Sequence, residues 1–182
     1  MGLIRVWTKQ NEAILTELER TGRHVAKEEF LMQSEDSQMM LRAYHWLTRT
    51  MPQTGRPADA NYPTWLSLYA DNTRLLNPGT VILELEVDES LVTKINVEKW
   101  DAVSNLSYIP ADEADAARHD NLLRSYGISD AKACMTPFYP ALKREIENSW
   151  IRLYHDQVQP GSKFAYGLIW EVKAEWIRAI RR

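Results

Sequence analysis

The chain has 182 residues, of which 45% are hydrophobic and 26% are charged, and this composition excludes a chain that is disordered throughout. A formal net charge of -3 gives no overall positive field, which argues against non-specific binding to nucleic acid. Cys134 is the single cysteine, which excludes an internal disulfide and a cysteine-rich zinc site, and we expect a small packed side chain rather than a nucleophile.

The N-terminal part of the chain predicts a strand followed by two helices. Leu3 to Thr8 combines β-branched and aromatic residues, which favour a strand. Apolar residues recur at helical spacing after Asn11, and Gly22 stands where a left-handed residue ends a helix. A second helix is expected from Met39 to Met51, with Ser34 to Ser37 as candidate caps.

The middle of the chain predicts a loop and two strands. Pro52 to Pro63 contains three prolines and one glycine and is long enough for a role in binding. Trp65 to Tyr69 suggests a strand, and Val81 to Val87 has an apolar residue at every second position, which is typical of a half-buried strand. Glu84 and Glu86 then share one side of that strand, either as a carboxylate pair for acid and base chemistry or as part of a solvated face.

The C-terminal part of the chain predicts three helices and then a strand. Apolar spacings of three and four indicate helices at Val97 to Leu106 and Tyr139 to Tyr154, and acidic residues at its start favour a helix at Ala111 to Ser125. Lys163 to Val172 is apolar enough for an interior strand. Trp176 to Ile180 fits either a closing strand or a final helical turn.

These elements predict an α+β fold, with one domain over residues 1–182. The sheet is expected to be small, mixed or antiparallel, and to contain the N- and C-terminal strands with the helices between them. No window approaches the roughly 20 apolar residues that a membrane span needs, and Met1 to Gln10 does not resemble a signal peptide. We therefore expect the cytoplasm as the compartment and no membrane partner.

The general catalytic motifs are missing, and the four histidines show no ligand spacing, so no metal site is expected. Glu171 is the most informative single residue, because it lies in the otherwise apolar run from Leu168 to Val172. A carboxylate in such a run must be paired or must open onto a cleft. It is therefore a functional candidate, or else a structural ion-pair partner of a residue such as Arg5 or Lys173, or a residue exposed at a strand end.

Arg56 lies in the proline-rich loop, shortly before the aromatic residues Tyr62, Trp65 and Tyr69. A cation beside aromatic rings would suit a planar ligand such as a base or a nicotinamide ring. The alternative is that Tyr62 and Trp65 close the edge of the core while Arg56 is solvated.

Aromatic landmarks extend through nearly the whole chain. They are Val6-Trp7-Thr8-Lys9-Gln10, Ala43-Tyr44-His45-Trp46-Leu47 with Met51, Tyr62-Pro63-Thr64-Trp65, Lys99-Trp100 with Asn105, and Gly167 to Trp176. This series resembles a family of small bacterial and phage-associated proteins that is described only as a domain of unknown function. The last strand of that family carries Gln and then Trp-Glu-Ile, and Gln159 and Trp170-Glu171-Val172 take those places here.

The order of a first strand with a polar residue and Thr, a helix, and a late glutamate is similar to that of ADP-ribosyltransferases that use NAD. This resemblance implies that Arg5 or Thr8 contacts NAD and that Glu171 stabilises an oxocarbenium-like transition state. It also implies that Tyr44, Tyr62 or Trp65 encloses the nicotinamide ring. We therefore expect an NAD-binding, ADP-ribosyltransferase-like protein that acts on a macromolecular target.

The alternative hypothesis is a non-enzymatic protein-binding module, such as an inhibitor from a phage or mobile element. It would dock on a protein target through exposed aromatic residues and the acidic helix from Ala111 to Ser125. The two hypotheses differ at Glu171, which only the first one requires. The second one instead requires the carboxylates Asp112, Glu113 and Asp115.

Overall fold

The computed structural model describes residues 2–27, 37–73, 76–155, 158 and 161–182. The chain separates into two compact units, each assembled from segments that are not consecutive in sequence. The sheet unit contains Met1–Phe30, Met51–Ile95 and Gln157–Arg182, and the helical unit contains Leu31–Thr50 and Asn96–Asp156. The candidate cap Ser34 and the family position Gln159 lie outside the described residues.

The strands of the described residues are β1 (Leu3–Asn11), β2 (Arg23–His24), β3 (Thr64–Ser67), β4 (Thr80–Asp88), β5 (Thr93–Asn96), β6 (Ala165–Ile169), β7 (Val172–Lys173) and β8 (Ile177–Arg181). Six of them form one sheet in the order β5-β6-β3-β1-β4-β8. The pairs of β1 with β3 and β4, of β3 with β6 and of β4 with β8 are antiparallel. The predicted α+β fold, with the first and last strands in one sheet, is confirmed.

The N-terminal strand β1 is longer than predicted and pairs with β4 along its whole length, from Leu3 opposite Asp88 to Asn11 opposite Thr80. Helix α1 (Ala13–Thr21) follows, and the Asn11 side chain accepts a hydrogen bond from the Ala13 amide at 2.9 Å. Gly22 ends α1 with φ 75°, a left-handed conformation that glycine adopts without the steric penalty that other residues have. Gly22 thus ends the helix as the sequence predicts, whereas the N-cap residue is Glu12.

Strand β4 departs from a simple alternation of buried and exposed residues. Val81 and Ile82 are both 1% exposed, so both faces of the strand are covered at its start. The core of the sheet unit gathers apolar residues from β1, α1, β3, β4 and β6. Its members include Val6, Ile14, Leu18, Leu66, Leu83, Leu85, Val87 and Ile169.

The predicted strand from Lys163 to Val172 is wrong as one continuous element. β6 ends at Ile169, and β7 starts at Val172 in a separate two-stranded sheet with β2. Trp170 and Glu171 therefore lie in the bend between two strands and not inside a strand. Ala174–Trp176 then forms a 3-10 turn, and Ile177–Arg181 forms β8, so the C-terminal end is the closing strand of the two predicted alternatives.

The helical unit contains α2 (Ser37–Thr50), α3 (Val97–Ser104), α4 (Glu113–Tyr126), α5 (Asp130–Met135) and α6 (Pro140–Ser149). Four of these helices match the predicted ones, and the short α5 is a helix that the sequence did not indicate. The last helix is shorter than predicted, because Trp150–Tyr154 continues as a 3-10 helix. Trp150 is fully buried there, with the ring of Trp46 packed edge-on at 5.5 Å.

Cys134 is 1% exposed in the helical unit, and burial raises the pKa of its thiol to about 12. Cys134 accordingly serves as a small packed side chain. Within the described residues, no helix is long and apolar enough to cross a bilayer.

Candidate functional site

The bend between β6 and β7 is held by hydrogen bonds and ring contacts to the proline-rich loop. The Trp170 indole nitrogen donates to the Pro52 carbonyl at 2.8 Å, and the Arg56 guanidinium lies 4.3 Å from the centre of the Trp170 ring. Arg56 also donates to the Ala60 carbonyl at 3.0 Å and to the Gln53 side chain at 2.6 Å. Arg56 is thus a structural member of the loop that stacks on Trp170.

Glu171 lies at this bend with a side chain that is 14% exposed. One carboxylate oxygen is 3.1 Å from the Arg23 guanidinium, and the other is 3.5 Å from the Lys173 ammonium group. Arg23 also pairs with Asp59, and hydrogen bonds to Asp59 and Glu171 raise the Arg23 pKa. Lys173, one of the two predicted ion-pair partners, does pair with Glu171. The other partner is Arg23 and not the predicted Arg5.

A small hollow of about 80 Å³ opens beside Glu171. It is lined by Thr54, Gly55, Leu91, Ile169, Trp170, Glu171, Lys173 and Trp176. Ligand pockets are usually about 300–1,000 Å³, so this hollow has room for a few waters and for no complete ring system. A larger ligand would therefore require the hollow to widen.

The two residues of β1 that were expected to contact NAD have other partners. Arg5 lies 3.2 Å from the Glu84 carboxylate and 4.0 Å from the Glu86 carboxylate on the neighbouring strand. The buried Thr8 hydroxyl donates to the Trp65 carbonyl at 2.8 Å and accepts from the Gln10 amide at 2.8 Å. Both side chains thus hold the sheet together, and neither lines the hollow beside Glu171.

The predicted aromatic residues are also distributed differently from the expectation. Tyr62 is 6% exposed and part of the core of the sheet unit, and the Trp65 ring packs edge-on against Tyr166 at 6.3 Å. Tyr44 belongs to the helical unit, where its ring meets Trp100 at 5.2 Å. The rings beside Glu171 are Trp170 and Trp176, which the sequence argument did not select as ligand contacts.

Glu84 and Glu86 share one side of β4, as predicted, but both have cationic partners. Arg5 spans the two carboxylates, and Arg178 donates to Glu86 at 3.1 Å. These ion pairs between neighbouring strands argue against the predicted acid and base pair.

The helical unit contains a charged network around His119 that sequence reasoning missed. The His119 ring nitrogens lie 2.7 Å from Asp130 and 3.3 Å from Glu145, and its ring stacks on Tyr108 at 3.9 Å. The side chain is 3% exposed. No spacing signal connects these residues, since they come from α4, α5 and α6 and from the segment before α4.

Two of the three acidic residues at the start of α4, Asp112 and Asp115, accept hydrogen bonds from within the helical unit. Asp112 accepts from the Asp115 amide at 2.8 Å, and Asp115 accepts from the Ala111 amide, Tyr108 and Arg118. Glu113 is the third carboxylate proposed for docking. It is exposed, and its side chain has no hydrogen-bond partner among the described residues. Within the described residues, no group of three or more His, Cys, Asp or Glu side chains has the arrangement of a metal site.

The resemblance to a family of unknown function is confirmed by comparison with family models. The domain of unknown function DUF3841 matches residues 5–178, and the chain belongs to this family. No curated protein and no solved structure matches the chain.

Proposed function

We propose that the chain binds NAD and acts as an ADP-ribosyltransferase-like protein on a macromolecular target, with Glu171 as the catalytic carboxylate. The observation that carries the proposal is a carboxylate, only 14% exposed, that lines a hollow together with two tryptophans. A carboxylate is the group that stabilises positive charge as it develops on a ribose ring.

The charges around Glu171 suit the diphosphate of a dinucleotide. Arg23 and Lys173 pair with Glu171, and their side chains are 36% and 41% exposed, so both reach solvent. Arg56 adds a third cation above Trp170, whereas Asp59 and Glu171 are the anions of the same network. The excess of cations over anions favours a ligand with negative charge.

The aromatic wall suits the planar part of the same ligand. Trp176 is half-buried beside the hollow, and the Lys173 ammonium group lies 5.4 Å from the centre of its ring. A positively charged nicotinamide ring is attracted to an indole face in the same way. Because the hollow is only about 80 Å³, NAD binding requires it to widen.

The reaction needs little from the protein beyond charge placement. The bond between the nicotinamide nitrogen and C1′ of the ribose breaks, and its electron pair leaves with neutral nicotinamide. A nucleophile of the target then bonds to C1′ and loses its proton. Glu171, fixed in orientation by Arg23 and Lys173, stabilises the positive charge on the ribose between these events.

The proposal is tested by incubating the purified chain with NAD and measuring the thermal unfolding midpoint and the nicotinamide released. We expect NAD to raise the midpoint and nicotinamide to accumulate. Glu171→Gln is expected to reduce release at least about 100-fold, because it removes the charge opposite the transition state. Glu175→Gln is the matched control, since Glu175 is an exposed glutamate of the same segment.

The outcomes separate the parts of this proposal. Neither a thermal shift nor nicotinamide release from the wild type would make NAD binding wrong. Release that survives in Glu171→Gln would remove Glu171 from the chemistry while leaving NAD as the ligand. Equal losses in Glu171→Gln and Glu175→Gln would show only that the segment tolerates no change of charge.

A second function, partner binding without catalysis, is favoured by exposed apolar side chains on the helical unit. Phe138 is 79% exposed, Tyr126 is 54% exposed and Met135 is 41% exposed. The Tyr126 ring meets Tyr139, the neighbour of Phe138, at 5.7 Å. Large rings exposed near one another are characteristic of protein interfaces, where they act as anchors.

Partner binding is tested by affinity capture with the wild type and with Phe138→Ser in parallel. We expect a bound protein that depends on Phe138 and that is retained by Glu171→Gln. Sedimentation of the purified chain is the companion measurement. A dimer that Phe138→Ser dissociates would assign the patch to a second copy of the chain and would contradict a heterologous partner.

A further inference from the structure

The helical unit has an open hollow of about 510 Å³ that the Glu171 site does not use. It is lined by Tyr108, Ala141, Arg144, Glu145, Asn148, Ser149 and Arg152. Arg144, Asn148 and Arg152 follow one another at intervals of four residues, along α6 and the 3-10 helix after it. This spacing places their side chains along one face of a helical segment. The volume lies in the range of small-molecule pockets.

The charges along this hollow do not cancel. Glu145 is the carboxylate in the lining, and it already has two partners, Arg118 at 2.7 Å and His119 at 3.3 Å. Burial opposes the change, but the hydrogen bonds from Arg118 and His119 lower the Glu145 pKa. Arg118 also donates to Asp115, and His119 also lies 2.7 Å from Asp130, so Glu145 is one of several carboxylates held in this network.

The two arginines of the lining have no carboxylate partner among the described residues. Arg144 is exposed and without a side-chain partner there. Arg152 donates to the Ile109 carbonyl at 2.7 Å, and its guanidinium lies 5.9 Å from the centre of the Tyr108 ring. The Arg152 side chain also hydrogen-bonds to the Tyr108 side chain, and a guanidinium has five N–H donors, more than these two bonds require.

We propose that this hollow binds a phosphate group, as inorganic phosphate or as the phosphate of a small monoester. Two guanidinium groups and the Asn148 amide offer hydrogen-bond donors to an oxyanion with several acceptor oxygens. The Tyr108 ring beside them offers an apolar face to the organic part of a monoester. The inference does not rest on NAD binding, because its residues belong to the helical unit and Glu171 belongs to the sheet unit.

The test is calorimetric titration of the full chain at low salt with inorganic phosphate, adenosine monophosphate and acetate. We expect both phosphate ligands to bind and acetate not to bind. Arg144→Ala is expected to weaken phosphate binding about tenfold or more, because it removes a charge-assisted donor pair. Arg144→Lys should recover part of the affinity, since lysine keeps the charge and loses the fork.

Arg124→Ala is the matched control, because Arg124 is an exposed arginine of α4 outside the lining. Its affinity should equal that of the wild type. Tighter binding of the monoester than of phosphate supports a role of Tyr108, and equal binding supports free phosphate as the ligand. The inference is overturned if the wild type binds neither phosphate ligand, or if Arg144→Ala and Arg124→Ala bind equally.

Discussion

Asp115 shows how one side chain serves two elements of the helical unit. Its carboxylate accepts from the Ala111 amide at 2.9 Å and from the Tyr108 hydroxyl at 2.8 Å, and Arg118 donates to it at 3.0 Å. The Ala111 amide first, and then Tyr108 and Arg118, lower the Asp115 pKa to about 2. The ionised form is thus preferentially bound in the folded state.

This pKa shift predicts a pH-dependent stability. A carboxyl with a lowered pKa in the folded state stabilises the fold above its unfolded pKa of about 4, and the contribution is lost as pH falls toward 2. We expect Asp115→Asn to unfold more easily than the wild type at pH 7, and the difference to shrink between pH 4 and pH 2. Thermal unfolding in pH steps measures this difference.

Asp120→Asn is the control for the Asp115 prediction, because Asp120 is exposed on the same helix and has no ion pair among the described residues. It should follow the wild type at every pH. A constant gap between Asp115→Asn and the wild type down to pH 2 would contradict the role given to the Asp115 charge.

At the scale of elements, the sequence predicts what depends on local spacing and fails where distant segments decide. The helices follow from apolar residues at spacings of three and four, and β1 and α1 follow from residue preference, Asn11 and Gly22. The break after Ile169 has no such signal. It arises because Val172 pairs with His24 and the Trp170 indole donates to Pro52, and both partners are far away in sequence.

The same limit applies to the candidate site. Glu171 could be selected from the sequence because a charge in an apolar run is visible there. Its neighbours could not be selected, because Arg23 reaches it through the pairing of β2 with β7 and the loop at Gly55 reaches it through contacts of Pro52 and Arg56 with Trp170. Trp65 follows Arg56 closely in sequence, but its ring packs against Tyr166 and does not line the hollow beside Glu171. Adjacent side chains of a strand point to opposite faces of the sheet, so nearness in sequence does not bring them to one site.

Gly167 of β6 lies opposite Leu66 of β3, at a place where a side chain has little room. A Cβ at Gly167 would lie 2.7 Å from Val92 Cγ1 and 3.3 Å from a Leu68 methyl carbon. Val92 cannot turn away easily, because β-branched side chains have few rotamers. We expect Gly167→Ala to lower the free energy of unfolding by about 1–3 kcal/mol in urea denaturation, through overpacking.

Val92→Ala removes the methyl group that the added Cβ would meet, which turns the Gly167 prediction into a double-mutant cycle. Gly167→Ala should cost less in the Val92→Ala background than in the wild type. Equal costs in the two backgrounds would place the origin of the loss elsewhere in the strand pair.

At the scale of the whole molecule, the two candidate sites belong to different compact units and share no lining residue. Substitutions with no shared partner usually change free energies additively, within about 0.5 kcal/mol. The chain therefore offers a crossed test, in which each site is altered alone and then both together. Glu171→Gln and Arg144→Ala are the substitutions for this test.

We expect nicotinamide release to depend on Glu171 and not on Arg144, and phosphate binding to show the reverse dependence. NAD itself carries phosphate groups, so its binding alone does not separate the two sites, whereas release of nicotinamide does. The double variant should lose both activities, each to the extent of the single variant. Loss of nicotinamide release in Arg144→Ala would contradict the independence of the two sites, because it would show a coupling free energy between them.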